Sequence, residues 1–305
     1  NLFGHAAPAV SNEWAWAPHA AQSRFWQSEV DGRILYYPCE ETASGVLAHD
    51  GIASRDPVDR HGVASSDGDP SRTLVVAGCD PAASLLATEY ARQTGQRMIV
   101  LRRSSGAALR LLKQRRVHVA GVHLSAAGER HGNADVVSRE IGLPVLLLRL
   151  AEWEEGIAVS TSQRVASIRG LLRKRLRWIG REPGSGARQC LDELLPPHTK
   201  PSRIAFDHRA VATALSSGWA DAGVCVRLVS EEAGLRFLSV RTENYDLSFL
   251  KSSQTDPRIE ALVRVVRSAA YRQLLSELPG YNVADAGGLE ATEGKDEAGR
   301  MKDEG

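Results

Sequence analysis

From residue 73 onward, short apolar runs alternate with stretches whose apolar residues recur every three to four positions, the pattern of strands alternating with amphipathic helices. The runs fall at residues 74–77, 98–101, 117–122, 145–150, 156–160, 203–206, 222–226 and 235–240. Such alternation predicts an α/β fold built on a mostly parallel sheet. Asp80-Pro81 marks a helix start: Asp caps free amides, and Pro at the first helical position gives up no hydrogen bond.

The beginning of the chain follows a different rhythm. Residues 24–30 and 33–37 read as two strands, and Asp31-Gly32 between them suits a two-residue type I′ turn, whose central positions require positive φ. This N-terminal β-hairpin region carries Trp14, Trp16, Phe25, Trp26, Tyr36 and Tyr37. So much aromatic surface should pack against the rest of the protein rather than face water. Residues 54–72 read as a polar connection, so that 1–70 forms a hairpin region with its linker. At the other end, residues 285–305 are mostly Gly, Glu, Asp and Lys and should form a structureless tail, because they offer too little apolar surface to offset ordering entropy.

Composition narrows the class without naming it. At 305 residues, 43% hydrophobic and 25% charged, the chain has room for about two globular domains. A formal charge of +1 gives no global attraction for nucleic acid. The charge is nevertheless uneven, with seven Arg or Lys and no acid from Arg164 to Arg181. That run is either a phosphate-binding strip or the wet face of a helix whose apolar stripe is Ile168, Leu171, Leu172 and Leu176. Cys39, Cys79, Cys190 and Cys225 form no CxxC pair, which argues against a zinc module or a dense disulfide framework and for a reducing compartment. No apolar run reaches the length of a membrane span, and Asn1-Leu2-Phe3-Gly4 lacks the basic-then-apolar pattern of an export signal. The expectation is a cytoplasmic protein without membrane contact.

Two loops share one chemical logic. Arg102-Arg103-Ser104-Ser105-Gly106 precedes a helix bearing Leu109, Leu111 and Leu112, and Arg181 to Arg188 (REPGSGAR) precedes a helix bearing Cys190, Leu191, Leu194 and Leu195. Free amides and the positive dipole end at a helix N-terminus attract anions, and small residues admit close approach. Each loop alone reads equally as a simple cap. One in each predicted half, however, is what a cleft between two lobes requires.

The stretch from Thr73 to Val283 resembles the periplasmic-binding-protein-like sensor domains fused to bacterial helix-turn-helix regulators and related to molybdate-binding proteins. The matching pieces, in order, are Ser104-Ser105-Gly106-Ala107, Ala120-Gly121-Val122-His123-Leu124, Arg181 to Arg188, His208, Gly218-Trp219-Ala220-Asp221-Ala222-Gly223 and Glu243-Asn244-Tyr245-Asp246-Leu247. The resemblance implies a two-lobed type II periplasmic-binding-protein-like fold. Lobe one would be residues 71–155 plus 242–284, and lobe two residues 156–241, with crossovers near Glu155 and Val240 and a separate sheet in each lobe.

It also implies a ligand site for a small anion, molybdate-like or organic. Ser104, Ser105 and Gly106 would face Gly184, Ser185, Gly186 and Arg188 across the cleft, with Arg188 the strongest single contributor. His123 would serve as a switchable donor and Tyr245 as a contact from the crossover, each with a structural role as its alternative. Asp221 would hold loop amides or touch ligand. Ala187 stands where relatives carry Thr, and Cys79-Asp80-Pro81 replaces a loop richer in Ser and His; both departures weigh against molybdate itself.

Asn1-Leu2-Phe3 resembles the end of a Cro/repressor-like headpiece. The expected function is therefore ligand sensing in a transcription regulator, with DNA contacted only through a headpiece outside this chain and a homodimer implied by paired half-sites. The rival is an extracytoplasmic receptor that delivers an oxyanion to a transporter. A third reading, an enzyme using Cys79 or Cys190 with His123 or His208, lacks a nucleophile elbow, paired carboxylates or a metal-spaced His motif. No catalysis, metal or organic cofactor is expected.

Overall fold

The computed structural model describes residues 12–40, 48–55, 69–125, 132–196 and 199–292. Asn1-Leu2-Phe3, most of the polar connection and residues 293–305 of the expected tail lie outside them.

The N-terminal region is a four-stranded sheet of β1 (Asn12–Trp14), β2 (Gln22–Val30), β3 (Arg33–Pro38) and β4 (Gly51–Ser54), in the order β1-β3-β2-β4. Asp31 and Gly32, at φ 52° and 73°, make the β2–β3 turn. Trp26, Leu35 and Tyr37 are buried in one apolar cluster with Val75, Leu101 and Leu109 of the following domain. Polar ties fix the contact further: Ser28 Oγ donates to the Thr73 carbonyl at 2.6 Å, and buried Asp50 pairs with Arg97. Full burial of a side chain such as Leu35 is worth about 1.5–3 kcal/mol, so the aromatic sheet docks as part of the core.

The remainder is α/β. Its elements are β5 (Thr73–Gly78), α1 (Ala83–Thr94), β6 (Arg97–Arg102), α2 (Ser105–Lys113), β7 (Val119–Val122), α3 (Gly132–Ile141), β8 (Val145–Val159), α4 (Ile168–Leu172), β9 (Trp178–Arg181), α5 (Gly186–Leu194), β10 (Arg203–Ala205), α6 (His208–Ser216), β11 (Ala222–Val226), α7 (Arg227–Glu232), β12 (Arg236–Leu250), α8 (Pro257–Arg267), α9 (Ala269–Ser276), β13 (Tyr281–Asn282) and β14 (Leu289–Thr292).

Two lobes hang on one long ribbon. Strands β8 and β12, fifteen residues each and therefore about 50 Å long, pair antiparallel from Val145↔Leu250 to Val159↔Arg236. At one end β12 pairs with β7, which continues in parallel to β5 and β6; at the other, β8 pairs with β11, which continues to β9 and β10. Each half thus has a parallel three-stranded wing covered by helices. Register shifts in β12 between Ser239 and Arg241, and between Tyr245 and Asp246, bracket the middle of the ribbon. Bulges there re-aim side chains where the lobes meet.

Several expectations need correction. The runs 145–150 and 156–160 are one strand, and 235–240 is only the first part of β12, so the hydrogen-bonded sheet is continuous through the ribbon rather than split in two. Glu152, Glu154, Glu155 and Glu243 broke the apolar pattern, yet Glu154 pairs with Arg227, and Glu155 and Glu243 pair with Arg241. In the basic run, helix α4 is only five residues long and Trp178–Arg181 forms β9. Residues 289–292, expected within a structureless tail, pair with β8. Among the described residues no helix is long and apolar enough to cross a membrane.

Candidate functional site

The two loops meet. Ser104 is the N-cap of α2 and Ser185 the N-cap of α5, and both are buried. The Gly106 amide donates to the Gly184 carbonyl at 3.1 Å, so helix N-termini from opposite lobes stand in direct backbone contact. Ser105 Oγ accepts from the His123 amide at 3.1 Å, while Ser185 Oγ accepts from the Arg188 amide at 3.2 Å and donates to the Glu182 carbonyl at 3.0 Å. Gly186 lies so close to His123 that an added Cβ would fall 2.3 Å from the His123 carbonyl oxygen. Only glycine permits that approach.

Beneath this contact lies a buried chain of polar groups. Cys79 Sγ is 3.1 Å from His123 Nε2, and His123 Nδ1 donates to Glu243 Oε2 at 2.8 Å. Glu243 also pairs with Arg241, which reaches Glu155 at 3.2 Å and Glu193 at 2.8 Å. Trp153 meets the His123 ring edge-on at 4.9 Å and lies 4.6 Å from Tyr245.

Charge is arranged unevenly within this chain. Burial and the neighbouring Glu243 push the Glu155 carboxyl up to about 8. Burial also works against ionised Glu243, but its hydrogen bond with His123 and the Arg241 charge outweigh burial and hold it below the usual range. For His123 burial opposes protonation, yet Cys79 and Glu243 together raise it well above an ordinary histidine. His208 moves the other way, lowered well below its usual value by burial, Arg181 and His123.

The remaining candidates divide. Tyr245 is buried behind His123, its hydroxyl held by the amides of Asp80 and Cys79, a position in the core. Asp221 accepts from the Arg177 backbone at 2.8 Å and from its guanidinium at 2.9 and 3.1 Å, which occupies the carboxylate structurally. Arg188 is turned along its own helix. Its Nε sits 2.8 Å from both Asp192 oxygens one turn along α5, and the hollow of about 480 Å³ that it lines is flanked by Asp192 and Glu193. Acids on that wall disfavour an anion.

Among the residues around the contact, sequence reasoning named Cys79 and His208 only for the enzyme reading and Arg181 and Glu243 only as parts of motifs, and it did not single out Arg241. Arg181 is almost fully buried; its Nε reaches Glu182 at 3.1 Å, its Nη2 the Phe206 carbonyl at 3.0 Å, and its Nη1 has no hydrogen-bond partner among the described residues. Arg181, His208 and Glu243 all lay inside the quoted motifs, so the signal was present.

The profile of the PBP superfamily domain matches residues 87–267, more than half of the chain. The chain belongs to that superfamily. It is similar to the uncharacterized protein YvgK of Bacillus subtilis (strain 168), 28% identical over 240 residues, covering 75% of this chain and 77% of that one. A protein of the ferredoxin 2Fe-2S gene 5′ region of Clostridium pasteurianum is 30% identical over 91 residues, covering 28% of this chain and 77% of that one. Among solved structures, a protein assigned to phosphate ABC transport as a substrate-binding protein, with bound phosphate, from Clostridium perfringens matches with a TM-score of 0.55 at 8% identity, covering 69% of this chain and 99% of that one. PhnD1 from Prochlorococcus marinus (MIT 9301), in complex with methylphosphonate, matches with a TM-score of 0.50 at 14% identity, covering 76% and 99%. These likenesses establish the two-lobed α/β fold.

Proposed function

We propose that this chain is a binding protein that takes a small oxyanion between its lobes and changes shape without turning it over. One observation carries the reading: the α2 and α5 N-termini, from opposite lobes, converge through Gly106 and Gly184, with Ser104, Ser105 and Ser185 buried around the contact. Two converging helix N-termini favour negative charge through their dipole ends and through the first-turn amides that Gly184 and Ser185 do not take. The guanidinium of Arg181, buried at the end of β9 with Nη1 unpartnered, supplies the cation that Arg188 was expected to give.

The phosphate and methylphosphonate carried by the two structural neighbours support an anion of that class, and with it a receptor that hands its ligand to a transporter. Regulation of transcription, with molybdate as ligand, rests only on the sequence resemblance. Calorimetric titration with phosphate, methylphosphonate, sulfate, molybdate and tungstate tests the reading. Saturable binding of at least one supports it, and heats no larger than dilution for all five would refute it.

A further inference from the structure

Cys79 follows β5, His123 follows β7 and His208 opens α6, yet the Cys79 sulfur and one ring nitrogen from each histidine lie within 4.8 Å of one another. A tetrahedral zinc ion with ordinary Zn–S and Zn–N bonds holds such donors about 3.3–3.6 Å apart, so modest contraction would close the set. His208 is 1% exposed, and neither ring nitrogen has a hydrogen-bond partner among the described residues. A buried imidazole left unpaired is costly unless something binds it.

The surroundings match a metal-binding histidine. Glu243 accepts from His123 Nδ1 at 2.8 Å, which leaves Nε2 facing Cys79 and His208; a carboxylate on the far nitrogen is the usual outer partner of a ligating imidazole. Trp153 Nε1 donates to the same carboxylate oxygen at 3.5 Å and helps to fix it. A cavity of about 630 Å³ lined by Pro81, Arg102 and Asp207 reaches both Cys79 and His208, and so offers an entry path.

We propose that Cys79 Sγ, His123 Nε2 and a ring nitrogen of His208 bind one borderline-soft divalent ion of the zinc class, with a fourth position open to water or to an anion. The protons held on Cys79 Sγ and on His123 Nε2 leave to solvent as the sulfur–metal and nitrogen–metal bonds form, while His123 keeps its Nδ1 proton on Glu243, and no electron is transferred. A thiolate with two imidazoles favours zinc over magnesium or calcium, which take oxygen ligands. The site does not depend on the anion reading, because all three donors belong to the protein.

The test uses the full chain, stripped by chelator and titrated with Zn²⁺ against a chromophoric competitor in buffer without phosphate, and in parallel with Co²⁺. One ion per chain is expected, with a thiolate-to-cobalt charge-transfer band. Cys79→Ser should abolish that band and His208→Leu should weaken zinc roughly a hundredfold; Glu243→Gln should weaken it about 10–100-fold. Because His208 has no hydrogen bond to lose, His208→Leu should not lower the melting temperature of the metal-free chain, which keeps the test valid if Cys79→Ser folds poorly. Cys190→Ser and Cys225→Ser should retain the band. No zinc uptake by the wild type, or wild-type zinc affinity in His208→Leu, would overturn the proposal.

Discussion

The amide of Gly106 donates to the carbonyl of Gly184 at 3.1 Å, joining the first turn of α2 to the loop before α5. Two residues on, Gly186 is pressed against the His123 carbonyl. An Ala there would place its Cβ 2.3 Å from that backbone oxygen, and a backbone oxygen cannot swing aside as a side chain can. Separating the lobes is the available relief. Gly186→Ala should therefore cost the closed form about 1–3 kcal/mol. Anion affinity should fall about tenfold or more in calorimetry while the far-ultraviolet circular dichroism stays native. Unchanged affinity in this variant would show that binding does not use the contact.

Arg181 and Arg188 make opposite predictions. Arg181→Met keeps much of the buried volume but removes a charge-assisted donor worth about 1.5–3 kcal/mol, so anion affinity should drop roughly ten- to hundredfold. Arg188→Ala breaks a partly exposed pair with Asp192 one turn along the helix, a change of about 0.3–0.5 kcal/mol and roughly twofold in affinity at most. Calorimetry on both variants decides between them. The reverse order would return the leading role to Arg188.

His118 ties the N-terminal sheet to the central one. Its Nδ1 accepts from the Val75 amide at 3.0 Å and its Nε2 lies 3.0 Å from the Glu29 carbonyl, an arrangement that suits the neutral ring. Burial and the nearby Arg258 lower it to about 4 from an ordinary 6.5. The unfolded chain therefore takes up a proton that the folded chain refuses. Stability from this group is complete above about pH 6.5 and is lost as pH falls toward 4, about 3 kcal/mol in all. Urea midpoints measured from pH 7 to pH 4.5 should fall more steeply in the wild type than in His118→Gln. Parallel slopes would remove His118 from the account.

Much of this was legible in the sequence, for physical reasons that differ by residue. Asp31-Gly32 announced its turn because few residue pairs tolerate two positive φ values. Ser104-Ser105-Gly106 and Ser185-Gly186 were legible because a capped, small-residue helix start has a local signature. The ribbon was not. Glu154, Glu155, Arg241 and Glu243 lie within β8 and β12, where paired charges replace the apolar alternation that marks a strand. The partner of Arg188 was not legible, because spacing places a residue on a helix but does not say that Asp192, four positions on, will pair with its guanidinium. The Cys79–His123–Glu243 chain joins residues 44 and 120 positions apart, a juxtaposition that only the sheet order creates.

The central claim is that ligand bridges two lobes, and small-angle scattering with and without a calorimetrically confirmed anion tests it most directly. Amides on α2 and α5 can both reach one ligand only when the lobes are closed, so the bound chain should be the more compact. A saturating anion that reduces the radius of gyration, with the reduction lost in Gly186→Ala, is the predicted result; tight binding that leaves the scattering curve of the wild type unchanged would contradict it.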